Sequence, residues 1–179
     1  MKLGSELRGV ALHILRTVGL PACVLACTIS CEKDDICVDG DTPLLIVTFY
    51  SSSDPTVGQS VNKLRVIGID NGGPVPTFSD RSTTDSIALP LRTNQNNTGF
   101  IFIKDSASDA SGVELGNADT VYLNYDIQSK FVSRACGFTP IFEGLSQSLV
   151  FDNNNWIDSL YIQQSRIENS NTSHVSIFY

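Results

Sequence analysis

Basic residues are few and scattered. Lys and Arg total 12 against 19 Asp and Glu in 179 residues, a net charge of −7, and no Lys/Arg-rich run occurs. Nucleic-acid binding needs basic surface to displace counterions, so that class is excluded, as is a polybasic membrane patch. Other signatures are missing as well. No segment carries a sustained helical stripe, which argues against a helical bundle. No Gly-rich loop follows a strand and opens a helix, so nucleotide binding has no support. There is no G-x-S-x-G, no C-x-x-C and no EF-hand spacing. Nucleophile-elbow hydrolases, thioredoxin-like redox centres and EF-hand calcium sites lose their main signals. No cofactor is expected.

What is present begins at the N-terminus. Lys2, Arg8 and Arg16 precede a charge-free stretch, "TVGLPACVLACTIS", over residues 17–30. Its length falls short of the ~20 residues of a spanning helix. A basic start, a short apolar region and small residues at its end describe a secretory signal peptide over residues 1–30. Residues 31–179 keep 9 of the 12 basic and 18 of the 19 acidic side chains, a net of −9, with one His.

Five cysteines need an account. A lipoprotein signal ends in small residues before a Cys that is acylated on its thiol. Cys23, Cys27 and Cys31 each follow such residues, and by the lipobox pattern alone Cys27 competes with Cys31. Two arguments favour Cys31. The apolar run stops only at Glu32. Lipid on Cys31 also leaves Cys37 and Cys136, an even number, to form a disulfide in an oxidising compartment. Metal binding by Cys27, Cys31 and Cys37 is disfavoured, because a zinc site needs four well-spaced ligands.

Cys31 is followed by Glu32 and then by Lys33, Asp34 and Asp35. This resembles the export signal that sends Bacteroidota-type lipoproteins to the outer face of the outer membrane, with attachment facing the periplasm as the alternative. Residues 31–42 then form a lipid-attached tether before one domain over 43–179.

That domain reads as all-β. "PLLIVTFY" (43–50), "VNKLRVIGI" (61–69), "DSIALPL" (85–91) and "TGFIFIK" (98–104) are strand candidates bounded by turn residues. "VYLNYDIQ" alternates most clearly, with Val121, Leu123, Tyr125 and Ile127 on one side. A turn at "QSK" is expected to lead into "FVSRACGF". "GLSQSLVF" (144–151), "WIDSLYIQQSRI" (156–167) and the C-terminal "SHVSIFY" complete eight or nine strands, and residues 105–119 read as a loop. An antiparallel β-sandwich, Ig-like or transthyretin-like, buries two such inner faces, with a small β-barrel as the alternative.

Candidate chemistry is thin. His174 is expected on the polar face opposite Val175 and Ile177, a poor position for catalysis. Asp39/Asp41, Asp105/Asp109 and Asp152/Asp158 lie in or beside loops and read as surface acids or, at "DGDT" and "DNNNWID", as weak calcium candidates. Trp156, Tyr122 and Tyr161 are the rings on which a glycan could stack.

With these features laid out, the chain resembles a family of small Bacteroidota lipoproteins of unknown function. "CEKDDIC", "PLLIVTFY", "VNKLRVIGI", "ACGF" (135–138) and "HVSIFY" carry the likeness. The resemblance implies a cell-envelope lipoprotein and supplies no activity or catalytic residue. The expected role is therefore non-enzymatic: binding or accessory work at the outer membrane through the lipid anchor, with an outer-membrane β-barrel protein as candidate partner. The alternative is a surface carbohydrate-binding module.

Overall fold

Among the described residues, nine strands in two sheets follow the alternation of the sequence. The computed structural model describes residues 36, 37 and 41–179. The expected signal peptide, Cys27, Cys31, Lys33, Asp34, Asp35 and Asp39 lie outside the described residues. Strand β1 is Leu45–Tyr50, β2 Val61–Gly68, β3 Ser82–Thr84, β4 Ser86–Leu89 and β5 Asn97–Lys104. The longest two are β6, Asn117–Ser133, and β7, Gly137–Leu149; β8 is Ser159–Ile162 and β9 Val175–Phe178. Among the described residues there is no helix.

The strand order is β4-β1-β9-β8 in one sheet and β3-β2-β5-β6-β7 in the other. All pairs are antiparallel except β1 with β9. Strand β1 buries Leu45, Val47 and Phe49 and turns Ile46, Thr48 and Tyr50 outward. Val175 and Ile177 of β9 join them. From the five-stranded sheet come Leu64 and Val66, Phe100 and Phe102, Val121, Leu123 and Tyr125, and Phe142 and Leu145. One apolar layer thus lies between two sheets, the arrangement of a β-sandwich.

Both sides of the sandwich are partly closed. Asp85 alone separates β3, in one sheet, from β4, in the other, and its carbonyl accepts from Phe49 N (2.9 Å). On the opposite side, residues 165–167 run along the outer edge of β7. Phe142 N donates to Ile167 O (3.0 Å), Ile167 N to Phe142 O (2.8 Å) and Leu145 N to Ser165 O (2.9 Å). Unpaired strand edges invite unwanted pairing, and these crossings cover part of them. They also give the sandwich some of the character of a barrel.

Two strand expectations need correction. The turn expected at "QSK" is continuous strand: Gln128, Ser129 and Lys130 pair with Ile141, Pro140 and Thr139. The chain reverses at residues 134–136 instead. These arms project beyond the sandwich, so their polar residues are solvated strand. The strand expected over 156–167 shrinks to β8, because Trp156 and Ile157 are fixed in the preceding crossing and residues 165–167 leave for β7. The short β3 had no sequence signal.

A bulge explains the uneven burial of β7. Between Asn124↔Ser146 and Asp126↔Glu143, Tyr125 faces two residues, Gly144 and Leu145. Gly144 has φ +63°, which favours glycine. The extra residue switches the parity, so Phe142 before it and Leu145 after it both reach the core.

Candidate functional site

The most unusual feature is the free end of the β6–β7 hairpin. Cys136 N donates to Ser133 Oγ (3.0 Å), and Gly137, at φ +70°, completes the reversal. Cys136 is disulfide-bonded to Cys37, with the two Cα atoms 4.8 Å apart. Nearby, Thr139 Oγ1 donates to Asp41 O (3.2 Å). The start of the folded chain is therefore held at the tip of its longest hairpin, 99 residues away in sequence.

Two phenylalanines stand beside that crosslink. Phe131 and Phe138 are register partners, with ring centroids 5.4 Å apart in an edge arrangement. They are 55% and 69% exposed, so they pack on each other and not on the core. Residues 127–142 contain no Asp or Glu but include Lys130 and Arg134. Lys130 Nζ lies 3.4 Å from Glu168 Oε2. Arg134 has no ion-pair partner among the described residues.

His174 is not on a polar face. It is 1% exposed and stands in the ladder between sheet neighbours. Its Nδ1 accepts from Ile46 N (3.0 Å), its own N donates to Ile46 O (2.9 Å), and its carbonyl accepts from Gln163 N (2.8 Å). Burial lowers its pKa, and the accepting Nδ1 requires the neutral ring. Alternation failed here because β9 starts only at Val175 and lies inside its sheet, where residues 174–177 are all buried. His174 is a structural ring that completes backbone pairing.

The three candidate stacking rings do not form one platform. Trp156 is 8% exposed. Its Nε1 donates to Phe102 O (3.2 Å), and its ring lies 5.4 Å from Tyr179. Tyr122 is half-buried: a Cβ added at Gly99 would come within 2.8 Å of its Cε1. Tyr161 alone is open to solvent, at 61%.

The loop carboxylates fasten their own turns. Asp152 Oδ1 accepts from Asn154 N (2.7 Å), and Asp109 Oδ1 accepts from Ser111 N (2.8 Å) and Val113 N (2.9 Å). Asp158 accepts from Ser52 Oγ. Among the described residues, no three His, Cys, Asp or Glu side chains are grouped to hold a metal.

Two acids that no sequence pattern singles out anchor loops. Glu114, in the 105–116 loop, has both oxygens engaged. Oε1 accepts from Ala107 N (2.9 Å) and Gly116 N (3.1 Å); Oε2 accepts from Ser106 Oγ (3.0 Å), Arg65 Nη1 (3.3 Å) and Arg81 Nη2 (3.3 Å). Burial pushes its pKa up, but the Gly116 amide, Ser106, Ala107 and Arg81 outweigh it and hold the group at about 2. Lys63, Arg81 and Asp105, the non-glycine residues with positive φ among the described residues, belong to the same neighbourhood. Asn62 O and Lys63 O accept from Asp105 N and Ser106 N, tying the loop to the bulge in β2. The strain serves this fastening. Asp119 is 1% exposed on β6; its Oδ2 accepts from Trp156 N (2.9 Å) and Ile157 N (2.7 Å), and burial raises its pKa. Distance in sequence hid both acids: Arg65 and Glu114 are 49 residues apart.

Two depressions mark the surface. One, about 600 Å³, is polar and lined by Asp70, Asn71, Arg92, Asn94 and Gln95; Arg92 pairs with Asp70 across it. The other, about 360 Å³, lies where the two sheets part, between Gln147–Leu149 of β7 and Ser159–Leu160 of β8, with exposed Phe151 on its rim.

These features define an all-β sandwich with a disulfide-pinned hairpin tip and charged side chains spent on loop fastening. Comparison with known families places it further. The chain belongs to the Family of unknown function (DUF6452), whose model matches residues 63–179. No curated protein and no solved structure matches it.

Proposed function

We propose that this chain is a lipid-anchored cell-envelope protein of Bacteroidota type with a non-enzymatic binding or accessory role. Residues 1–30 are the export signal, Cys31 carries the lipid, and Lys33, Asp34 and Asp35 direct it to the outer face of the outer membrane. Its partner is an outer-membrane β-barrel protein.

The supporting observation is the Cys37–Cys136 disulfide. A structural disulfide belongs to an exported chain in an oxidising compartment. It also makes Cys37, six positions after Cys31, a fixed mechanical connection between anchor and domain. The engaged carboxylates and the buried, neutral His174 leave the charged groups with structural work, which favours binding over catalysis.

Palmitate labelling and mass spectrometry of the mature N-terminus test the anchor. Cys31→Ala abolishes labelling and Cys27→Ala leaves it intact; the reverse pattern moves the anchor to Cys27. For the partner, a photocrosslinking residue at Phe151, on the rim of the β7–β8 groove, is expected to capture one β-barrel protein reproducibly. Recovery of uncrosslinked monomer alone would refute the accessory role.

A further inference from the structure

The hairpin tip joins several features that the core does not require. Two phenyl rings stand in solvent, although burying such a ring removes on the order of 150–250 Å² from water. The strand arms that carry them project past the sandwich and pair only with each other. The tip bears Arg134, which has no ion-pair partner among the described residues, and Lys130, which pairs with Glu168, in a chain whose residues 31–179 carry a net charge of −9. The disulfide fixes this tip to Cys37.

The length of chain before Cys37 decides what lies opposite. Six residue steps separate Cys31 from Cys37. A fully extended chain covers at most ~3.3–3.6 Å per residue, so the tether reaches no more than about 20 Å. An acylated Cys31 sits at the bilayer surface. The disulfide-linked tip is then held within that reach of the bilayer surface.

We infer that the β6–β7 hairpin tip is a membrane-contact element. Phe131 and Phe138 enter the boundary between headgroups and acyl chains, and Arg134 meets anionic headgroups, with Lys130, paired to Glu168, behind it. Aromatic rings flanked by cations suit this boundary, where apolar area and electrostatic attraction act together. Two cations do not make a polybasic patch, and the tip does not recruit the protein alone. Its role is orientation: the lipid holds the chain, and the tip stands the acidic body away from an anionic surface.

This inference rests on the lipid-anchor reading, and one experiment separates the two. Full-length Phe138→Trp protein is expressed in a lipoprotein-processing host and its acylation verified by mass spectrometry. It is then reconstituted into phosphatidylethanolamine–phosphatidylglycerol vesicles with and without brominated acyl chains. Trp156, buried in the sandwich, gives the baseline in the unsubstituted protein. Emission from position 138 is expected to shift to the blue and fall roughly twofold with brominated lipid, as for a ring in the upper acyl region. Adding Arg134→Glu should reverse most of that quenching. Acylated protein with an unquenched, solvent-exposed Trp overturns the tip contact and leaves the anchor standing. A blue-shifted Trp that brominated lipid does not quench also overturns it, pointing to a second copy or another protein at the tip. A chain acylated on neither Cys31 nor Cys27 removes the anchor and this inference together.

Discussion

Replacing Glu114 by Gln should cost stability at neutral pH and nothing in strong acid. The unfolded carboxyl titrates near 4.5, and the folded one at about 2. A depressed acid pKa stabilises the fold fully above the unfolded value and loses that contribution as pH falls through the folded value. The window is therefore pH 4.5 down to about 2. A tenfold change in proton affinity corresponds to about 1.4 kcal/mol, so the full difference is roughly 3–4 kcal/mol. The side chain is 26% exposed, and solvent screening reduces this to roughly 1–3 kcal/mol. Gln retains an acceptor for Ala107 and Gly116 but turns an amide toward Ser106, Arg65 and Arg81. Urea unfolding followed by Trp156 fluorescence, from about pH 7 to pH 2.5, measures the gap between the two proteins. Asp54, Asp109 and Glu168 also have lowered pKa values, and Asp119 a raised one, but they are present in both proteins and largely cancel in the difference. A gap that stays constant across the window, or is absent at neutral pH, refutes the assignment of the acid sensitivity to this carboxylate.

Packing and burial set three further expectations. Gly116→Ala should destabilise more than Gly99→Ala, as read by thermal unfolding. A Cβ at 116 meets the Lys104 carbonyl oxygen at 2.8 Å and Ser106 Cα at 2.9 Å, whereas at 99 it meets the side-chain ends of Ile69 and Tyr122, which can yield; overpacking of this kind costs about 1–3 kcal/mol. Asp119→Ala should cost about 2 kcal/mol or more, because the Trp156 and Ile157 amides lose their acceptor, while Asp119→Asn should retain most of the stability. Equal losses in chemical denaturation would contradict that account. The His174 ring should be mostly neutral at pH 6.5 by NMR, since its folded pKa lies below the ordinary value; its contribution to stability is present above pH 6.5 and fades as acid protonates Nδ1. A ring half protonated at pH 6.5 would contradict it.

The strands that sequence reveals are those whose burial is local. Val121, Leu123 and Tyr125 alternate because β6 has one face in the core, and "LIVTFY" does the same in β1. Where tertiary position overrides period two, the reading fails. His174 lies one residue before β9 and is buried together with Val175 and Ser176. "QSK" has turn composition because it is a solvated arm of a projecting hairpin. The Glu114 fastening escaped for a different reason. Its partners come from β2, from the segment before β3 and from its own loop, and no local pattern unites Arg65, Arg81 and Glu114. The candidate site was half legible. Parity pairs Cys37 with Cys136, but the rings beside Cys136 were read as ordinary strand residues.

The parallel pairing of β1 with β9 bears on how the molecule comes into being. Strand β9 lies at the middle of its sheet, and β8 has no other neighbour there. A growing chain that lacks residues 175–178 has β1 and β4 on one side, an isolated β8 on the other and a slot between them. The four-stranded sheet is completed only when its last strand arrives, across a sequence gap of well over a hundred residues. Such non-local closure slows folding. A chain emerging from its N-terminus cannot close this sheet until residues 175–178 are available.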